Sequence, residues 1–247
     1  VLNMVRFVAA TILMGAVLAG SGGSLRVPAA PWRFLLLGAL MAAYFVLMFV
    51  ALRLTDPVST SAVFTLIPLL AAVFGFFILG QRTRLVVWAG LLIAAFGALW
   101  VIFRADLARA LAFRVGEGEA IFFVGCVCQA LYAPLVRLLN RGESILEFTV
   151  WTLAACTICV SVFGIPQLGA VDWAGLDSVV WLAIAYLTVA ATAISFFLLQ
   201  YGSMHLPAAK VFPYGYLIPS FVILIEATLG HGWAAGIVAI GAVISVL

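Results

Sequence analysis

The stretch from Leu54 to Arg84, LTDPVSTSAVFTLIPLLAAVFGFFILGQRTR, limits what this chain can become more than any other part of it. No charged residue falls between Asp56 and Arg82, and at about 1.5 Å per helical residue the run from Pro57 to Gln81 is long enough to cross a hydrocarbon core of roughly 30 Å. A second stretch, Leu206 to Gly232, repeats the spacing: Pro207 precedes Gly230 by the same interval that separates Pro57 from Gly80. The whole chain is like these two stretches, 67% apolar and only 9% charged, whereas a soluble domain carries about 25% charge. Only helices or a closed barrel satisfy the backbone in lipid, and a barrel would show short alternating segments instead of long apolar runs. The sequence therefore predicts an all-α polytopic membrane protein whose first partner is the lipid bilayer. Its net charge of +3 is scattered, with no basic run for nucleic acid.

Nine spans are expected: Met4–Gly20, Phe34–Leu52, Val58–Leu79, Leu85–Phe103, Ile121–Leu139, Phe148–Gly164, Val179–Tyr201, Ala208–Leu229 and Trp233–Leu247. Turn and breaker residues separate them, and the seven tryptophans fall at or near predicted ends, as an interfacial belt would place them. The loops after spans one, three, five and seven hold Arg26, Arg33, Arg82, Arg84, Arg137, Arg141 and Lys210 against Glu143 and Glu147. The other side has fewer basic residues and more acidic ones, so the first set of loops is expected in the cytoplasm, with the protein in the plasma (inner) membrane. No cleavable leader is visible, and both ends lie in apolar runs, which suggests trimming relative to a longer natural chain.

The repeat has a direction. Phe34 to Phe103 reads as a span, an outer turn, a Pro-containing span, a tight Leu-Gly turn and a Gly-rich span, and Val179 to Leu247 gives the same series starting from the opposite side. The division expected is residues 1–110 as the first repeat and 115–247 as the second, each built on five helices, with the first helix of the first repeat missing from this chain. That makes a ten-helix bundle of two inverted repeats. Opposite insertion creates a pseudo-two-fold axis in the membrane plane, the symmetry that secondary transporters use to alternate access to a site near the midplane. The reading from another class is a membrane interaction or sensory protein that keeps the fold and moves nothing.

The residues also resemble a known family. Met4-Val-Arg6-Phe-Val-Ala9-Ala is similar to the opening of the second helix in EamA-type members of the drug/metabolite transporter superfamily. Ala51-Leu-Arg-Leu-Thr55 with Pro68-Leu-Leu-Ala-Ala72, Leu79-Gly80, Gly90 and Gly97 resembles that family's third to fifth helices, and Tyr216-Leu-Ile-Pro219 with Leu229-Gly230 the matching part of the second repeat. The resemblance covers nearly the whole chain. It implies ten helices and export or uptake of a small metabolite or drug through a central cavity, without implying which. The buried amide, hydroxyl and phenol groups of the spans suit a small polar or aromatic compound, and export of an amino-acid-like or related compound is expected. Two departures stand out: the family commonly has Glu after the Leu-Gly turn, where this chain has Gln81 and His231, so the carboxylate expected to anchor a helix end is missing at both turns.

Charged residues within spans are costly and are functional candidates by default. Lys210 and Glu226 lie on the eighth span, too far apart to pair. Lys210 either snorkels toward Glu143 or Glu147 or faces the cavity as a cation. Glu226 either pairs with Arg6 or Arg53 near the outer end or titrates and couples transport to a proton gradient. Gln129 and Tyr132 share a face of the fifth span, Lys210 and Tyr214 share one of the eighth, and Ser195 and Tyr44 complete the substrate-cavity candidates. Pro68, Pro213 and Pro219 are hinge candidates, since proline frees backbone carbonyls within a span. Cys126, Cys128, Cys156 and Cys159 read as apolar packing residues, and His205 and His231 as capping or solvated groups, so neither a metal nor a cofactor is expected. Nor is catalysis expected, because no phosphate-binding loop, HExxH or GxSxG occurs.

Overall fold

A computed structural model describes residues 1–23, 27–55, 57–103, 106–112, 115–170, 173, 175–217, 221 and 228. These residues are helical, with no strand among them. In chain order the helices are α1 (Leu2–Gly20), α2 (Trp32–Ala51), α3 (Pro57–Phe64), α4 (Ile67–Leu79), α5 (Leu85–Ile102), α6 (Leu107–Leu111), α7 (Glu117–Leu139) and α8 (Ile145–Gly164). A 3-10 segment (Ile165–Ala170) precedes α9 (Ser178–Thr188), a π segment (Val189–Ile194) leads into α10 (Ser195–His205), and α11 (Ala208–Val211) is followed by a second 3-10 segment (Pro213–Leu217). Six helical stretches are long and apolar enough to cross a membrane, and α5 is a shorter apolar helix. They correspond to expected spans one, two, three, five, six and seven, with α5 as the fourth; the ninth lies outside the described residues. Ile12, Phe77, Leu85 and Val162 are each at least two-thirds exposed, as suits side chains that face lipid.

Two compact units divide the chain. The first comprises Val1–Val46 and Leu135–His205, the second Leu47–Pro134 and Leu206–Leu247.

In the first unit α1 packs along α8 and also meets α9 and the π segment, while α10 packs on α8. Without a hydrophobic force between helices in lipid, such contacts depend on close approach and hydrogen bonds. Both are present. A Cβ at Gly38 of α2 would lie 2.5 Å from the Cys156 backbone nitrogen of α8, so only glycine permits this approach. The hydroxyls of Thr11 and Thr157 bridge α1 to α8 at 2.9 Å. Rings of Phe34 and Phe148 meet edge to face at 4.9 Å between centroids.

The second unit is built around interruptions. Expected span three is two helices, α3 and α4, separated by a tight turn in which Thr65 and Leu66 donate to Ala62 and Val63. The cause is Pro68, in the first turn of α4: it has no N–H for the Phe64 carbonyl, and its ring collides with the preceding turn. At the other end Gly80 adopts φ +64°, and Gly80 and Gln81 return their N–H groups to Phe76 and Gly75. Expected span eight is likewise interrupted. α11 ends at Val211, and Pro213 opens a 3-10 turn instead of continuing the helix. α4 packs on α11, and Ala72, Leu91, Ala95, Ala98, Ala209 and Tyr216 form a core cluster.

Two further boundaries differ from expectation. α7 begins at Glu117, four residues before the expected start, because Glu119 reaches back to accept the Gly116 N–H at 2.9 Å and also accepts from Thr55 Oγ1. The expected seventh span changes pitch in its middle. Thr192 and Ser195 hydroxyls donate to the Leu187 and Ala190 carbonyls, each five residues back, and the turn widens into the π segment.

Candidate functional site

In the second unit the two interruptions meet. Tyr216, 2% exposed in the 3-10 turn, donates its hydroxyl to the Thr65 carbonyl at 2.7 Å, at the α3–α4 break. Phe64 lies against Gly215, where an added Cβ would sit 3.3 Å from its ring. The Thr65 carbonyl, next to the Phe64 carbonyl that Pro68 leaves without a helical donor, thus finds its donor on the other interrupted segment. A second bond joins the same elements: Gln81 Oε1 accepts the Ala208 N–H, at the start of α11, at 2.9 Å. The departure from Glu noted in the sequence does not cost the turn its anchor, because an amide oxygen serves a backbone donor as a carboxylate would. His231 lies outside the described residues.

Several expected residues sit differently from their expected roles. Lys210 is exposed on α11, and Tyr214 is 67% exposed, whereas its neighbour Tyr216 is the buried and bonded tyrosine. Lys210 and Tyr214 do not share a continuous α-helical face, because the chain leaves α geometry after Val211. Glu143 is committed to Arg33 instead of Lys210: Arg33 Nη2 donates to Glu143 Oε1 at 2.6 Å, and the Arg141 N–H donates to Oε2 at 2.7 Å. Burial alone would raise the Glu143 pKa, but these donors outweigh it and hold the carboxyl below its ordinary value. Ser195 is exposed and spends its hydroxyl on the Ala190 carbonyl. Gln129 and Tyr132 do lie within one helix, α7, Tyr132 fully buried and Gln129 half-buried with its Oε1 unpartnered. Pro68 is buried at the start of α4, Pro213 is half-buried, and Pro219 and Glu226 lie outside the described residues.

The first unit holds a group that loop counting had assigned to an aqueous end. Arg6 is 6% exposed within α1. Its guanidinium carbon stands 4.6 Å from the centroid of the Phe45 ring and 5.1 Å from that of Phe7. Phe7 in turn meets Phe45 and Phe196 edge to face at 5.2 and 5.6 Å. Tyr44 and Cys156 lie within electrostatic reach of the guanidinium. Among the described residues, Nε and Nη2 of Arg6 have no hydrogen-bond partner. Tyr44, a substrate-cavity candidate from the sequence, is therefore placed beside a buried cation.

A model of the EamA-like transporter family matches residues 1–103 and 116–247. The chain belongs to that family. It is also similar to "Uncharacterized transporter YyaM" of Bacillus subtilis (strain 168), 26% identical over 184 residues. That alignment takes in 74% of this chain and 60% of the relative, so the chain spans less than two-thirds of that relative's length. A solved crystal structure, 23% identical, superposes with a TM-score of 0.81 over 99% of this chain and 83% of its own, which establishes the likeness of fold. This EamA-family chain is a multi-pass membrane protein; its interrupted helices and buried arginine are features of that fold as this sequence builds it.

Proposed function

We propose that this chain is a secondary transporter that moves a small metabolite or drug across the inner membrane by alternating access, with an amino-acid-like or related polar or aromatic compound exported as cargo. The observation that carries the reading is the meeting of the two interrupted segments. On the spacing that equates Pro57 with Pro207, Thr65 corresponds to Gly215 and Leu66 to Tyr216, and it is Phe64 and Thr65 that touch Gly215 and Tyr216. Contact within one residue of equivalence is what two inverted copies produce near their pseudo-two-fold axis, and discontinuous helices at that place are where transporters of this architecture bind and gate. Membership of a transporter family supports the same reading.

Within this proposal the ten-helix arrangement, the repeat division at residues 110–115 and the cytoplasmic placement of the loops after spans one, three, five and seven follow from the inverted repeat and the arginine distribution. The break at Pro68 and the turn at Pro213 serve as hinges, and Gln129 and Tyr132 face the cargo. Glu226 links transport to a proton gradient. The test is counterflow in proteoliposomes with labelled amino acids, nucleosides and organic cations, with and without an imposed pH gradient. Counterflow of at least one compound is expected, with a pH-gradient dependence that Glu226→Gln removes. Absence of counterflow for every compound would assign the fold to an interaction or sensory role.

A further inference from the structure

A guanidinium withdrawn from water is tolerated when its charge and its N–H groups are met. Arg6 has neither requirement fully met within the described residues. Two faces of aromatic ring approach it, and such cation–π contacts attract the charge but leave in-plane N–H groups without acceptors. No Asp or Glu forms an ion pair with it among the described residues. Nε–H and one Nη2–H lie on the same edge of the guanidinium plane, the edge that binds both oxygens of a carboxylate in parallel.

The surroundings are built from four helices. Phe7 and Arg6 come from α1, Tyr44 and Phe45 from α2, Cys156 from α8 and Phe196 from α10. One turn from Cys156 on α8 is Thr152, and one turn from Phe196 on α10 is Gln200; these two bond to each other, Gln200 Nε2 to Thr152 Oγ1 at 3.1 Å. Gln200 is fully buried, and its Oε1 has no partner among the described residues. Among the described residues, the first unit therefore sets a buried cation without an anionic partner among phenyl rings, with an amide acceptor without a donor one turn from Phe196.

We propose that Arg6 is the anion-recognition residue of a small-molecule site in the first unit, and that its ligand is a small organic carboxylate with an apolar or aromatic body. The carboxylate takes the Nε and Nη2 donors, and Phe7, Phe45 and Phe196 pack against the body. As a transport site this rests on the transporter reading above; as a binding site it does not.

The test is thermal unfolding of the purified full chain in detergent micelles with phenylacetate, indole-3-acetate and hexanoate, each against its neutral amide. For at least one pair the acid raises the melting temperature with concentration, and the amide requires at least about tenfold more to reach the same shift, the scale of a lost charged hydrogen bond. Arg6→Gln abolishes the preference for the acid. Arg6→Lys, which keeps the charge but not the two-pronged geometry, retains a weakened preference and guards against misfolding of the Gln variant. Equal shifts for acid and amide, no shift with any of the three acids, or an acid preference unchanged in Arg6→Gln or Arg6→Lys would overturn the site. Protection that is acid-specific and Arg6-dependent, without counterflow of the same acid, would leave the site standing and overturn the transporter reading.

Discussion

Two arginines of the first unit are almost completely buried, and they are treated in opposite ways. Arg33, 2% exposed at the start of α2, donates Nε to the Ala30 carbonyl, Nη1 to the Leu139 carbonyl and Nη2 to Glu143. Arg6, 6% exposed in α1, has aromatic rings beside it, and Nε and Nη2 are left without acceptors among the described residues. Arg33 ties the end of α7 and the loop before α8 to the start of α2, so its charge is used up by the fold. The charge of Arg6 is not. A buried arginine thus reports structure or function according to how many of its donors the chain itself occupies.

Substitution should separate the two. The largest loss is expected for Arg33→Met, which strands Glu143 and two carbonyls. About 3 kcal/mol is the expected cost, at the low end for a broken buried pair because Glu143 retains 17% exposure. It is measured as a drop in the chemical-denaturation midpoint in mixed micelles. Tyr216→Phe comes next. It removes the donor to the Thr65 carbonyl without changing shape, at about 1–2 kcal/mol, and is measured as a lower chemical-denaturation midpoint. Gln81→Ala should cost about 1 kcal/mol through the lost cap on α11, and Gln81→Glu should restore it.

A smaller, pH-dependent effect follows from Glu143. Its carboxyl is held below the ordinary value of 4.5, so the pair contributes its full stabilisation above that value and loses it as pH falls through the depressed one. Wild type and Glu143→Gln should therefore differ in melting temperature at neutral pH and converge under acid. A constant difference down to the acid limit would mean that Glu143 is not ionised in the pair. The smallest stability change belongs to Arg6→Met: replacing an unmatched buried cation by an apolar chain of similar length should leave the melting temperature unchanged or raise it.

Six of the expected spans were legible because long uncharged apolar runs are a strong signal, and Pro68, read as a hinge candidate within one span, marks the α3–α4 break. The start of α7 was also written in the sequence: Glu119 three residues after Gly116 is a capping spacing, hidden because GEGE reads first as a turn. Other features lay beyond periodicity. The π segment depends on hydroxyl bonds to carbonyls five residues back, which no apolar pattern encodes. Tyr214 and Lys210 were paired on α-helical spacing, and that spacing fails once Pro213 turns the chain into a 3-10 segment, where Tyr216 is the buried residue. Arg6 was placed near the outer end by the topology, and only packing against Phe7 and Phe45 reveals it as an interior group.

Arg33→Met and Arg6→Met, purified side by side, give the most direct test of the contrast: melting temperature and phenylacetate, indole-3-acetate and hexanoate counterflow, normalised to folded protein, are read from one preparation of each. The account predicts that Arg33→Met melts well below wild type yet retains counterflow per folded molecule, while Arg6→Met melts at or above wild type and loses it. An Arg6→Met protein as unstable as Arg33→Met, with counterflow per folded molecule intact, would contradict it.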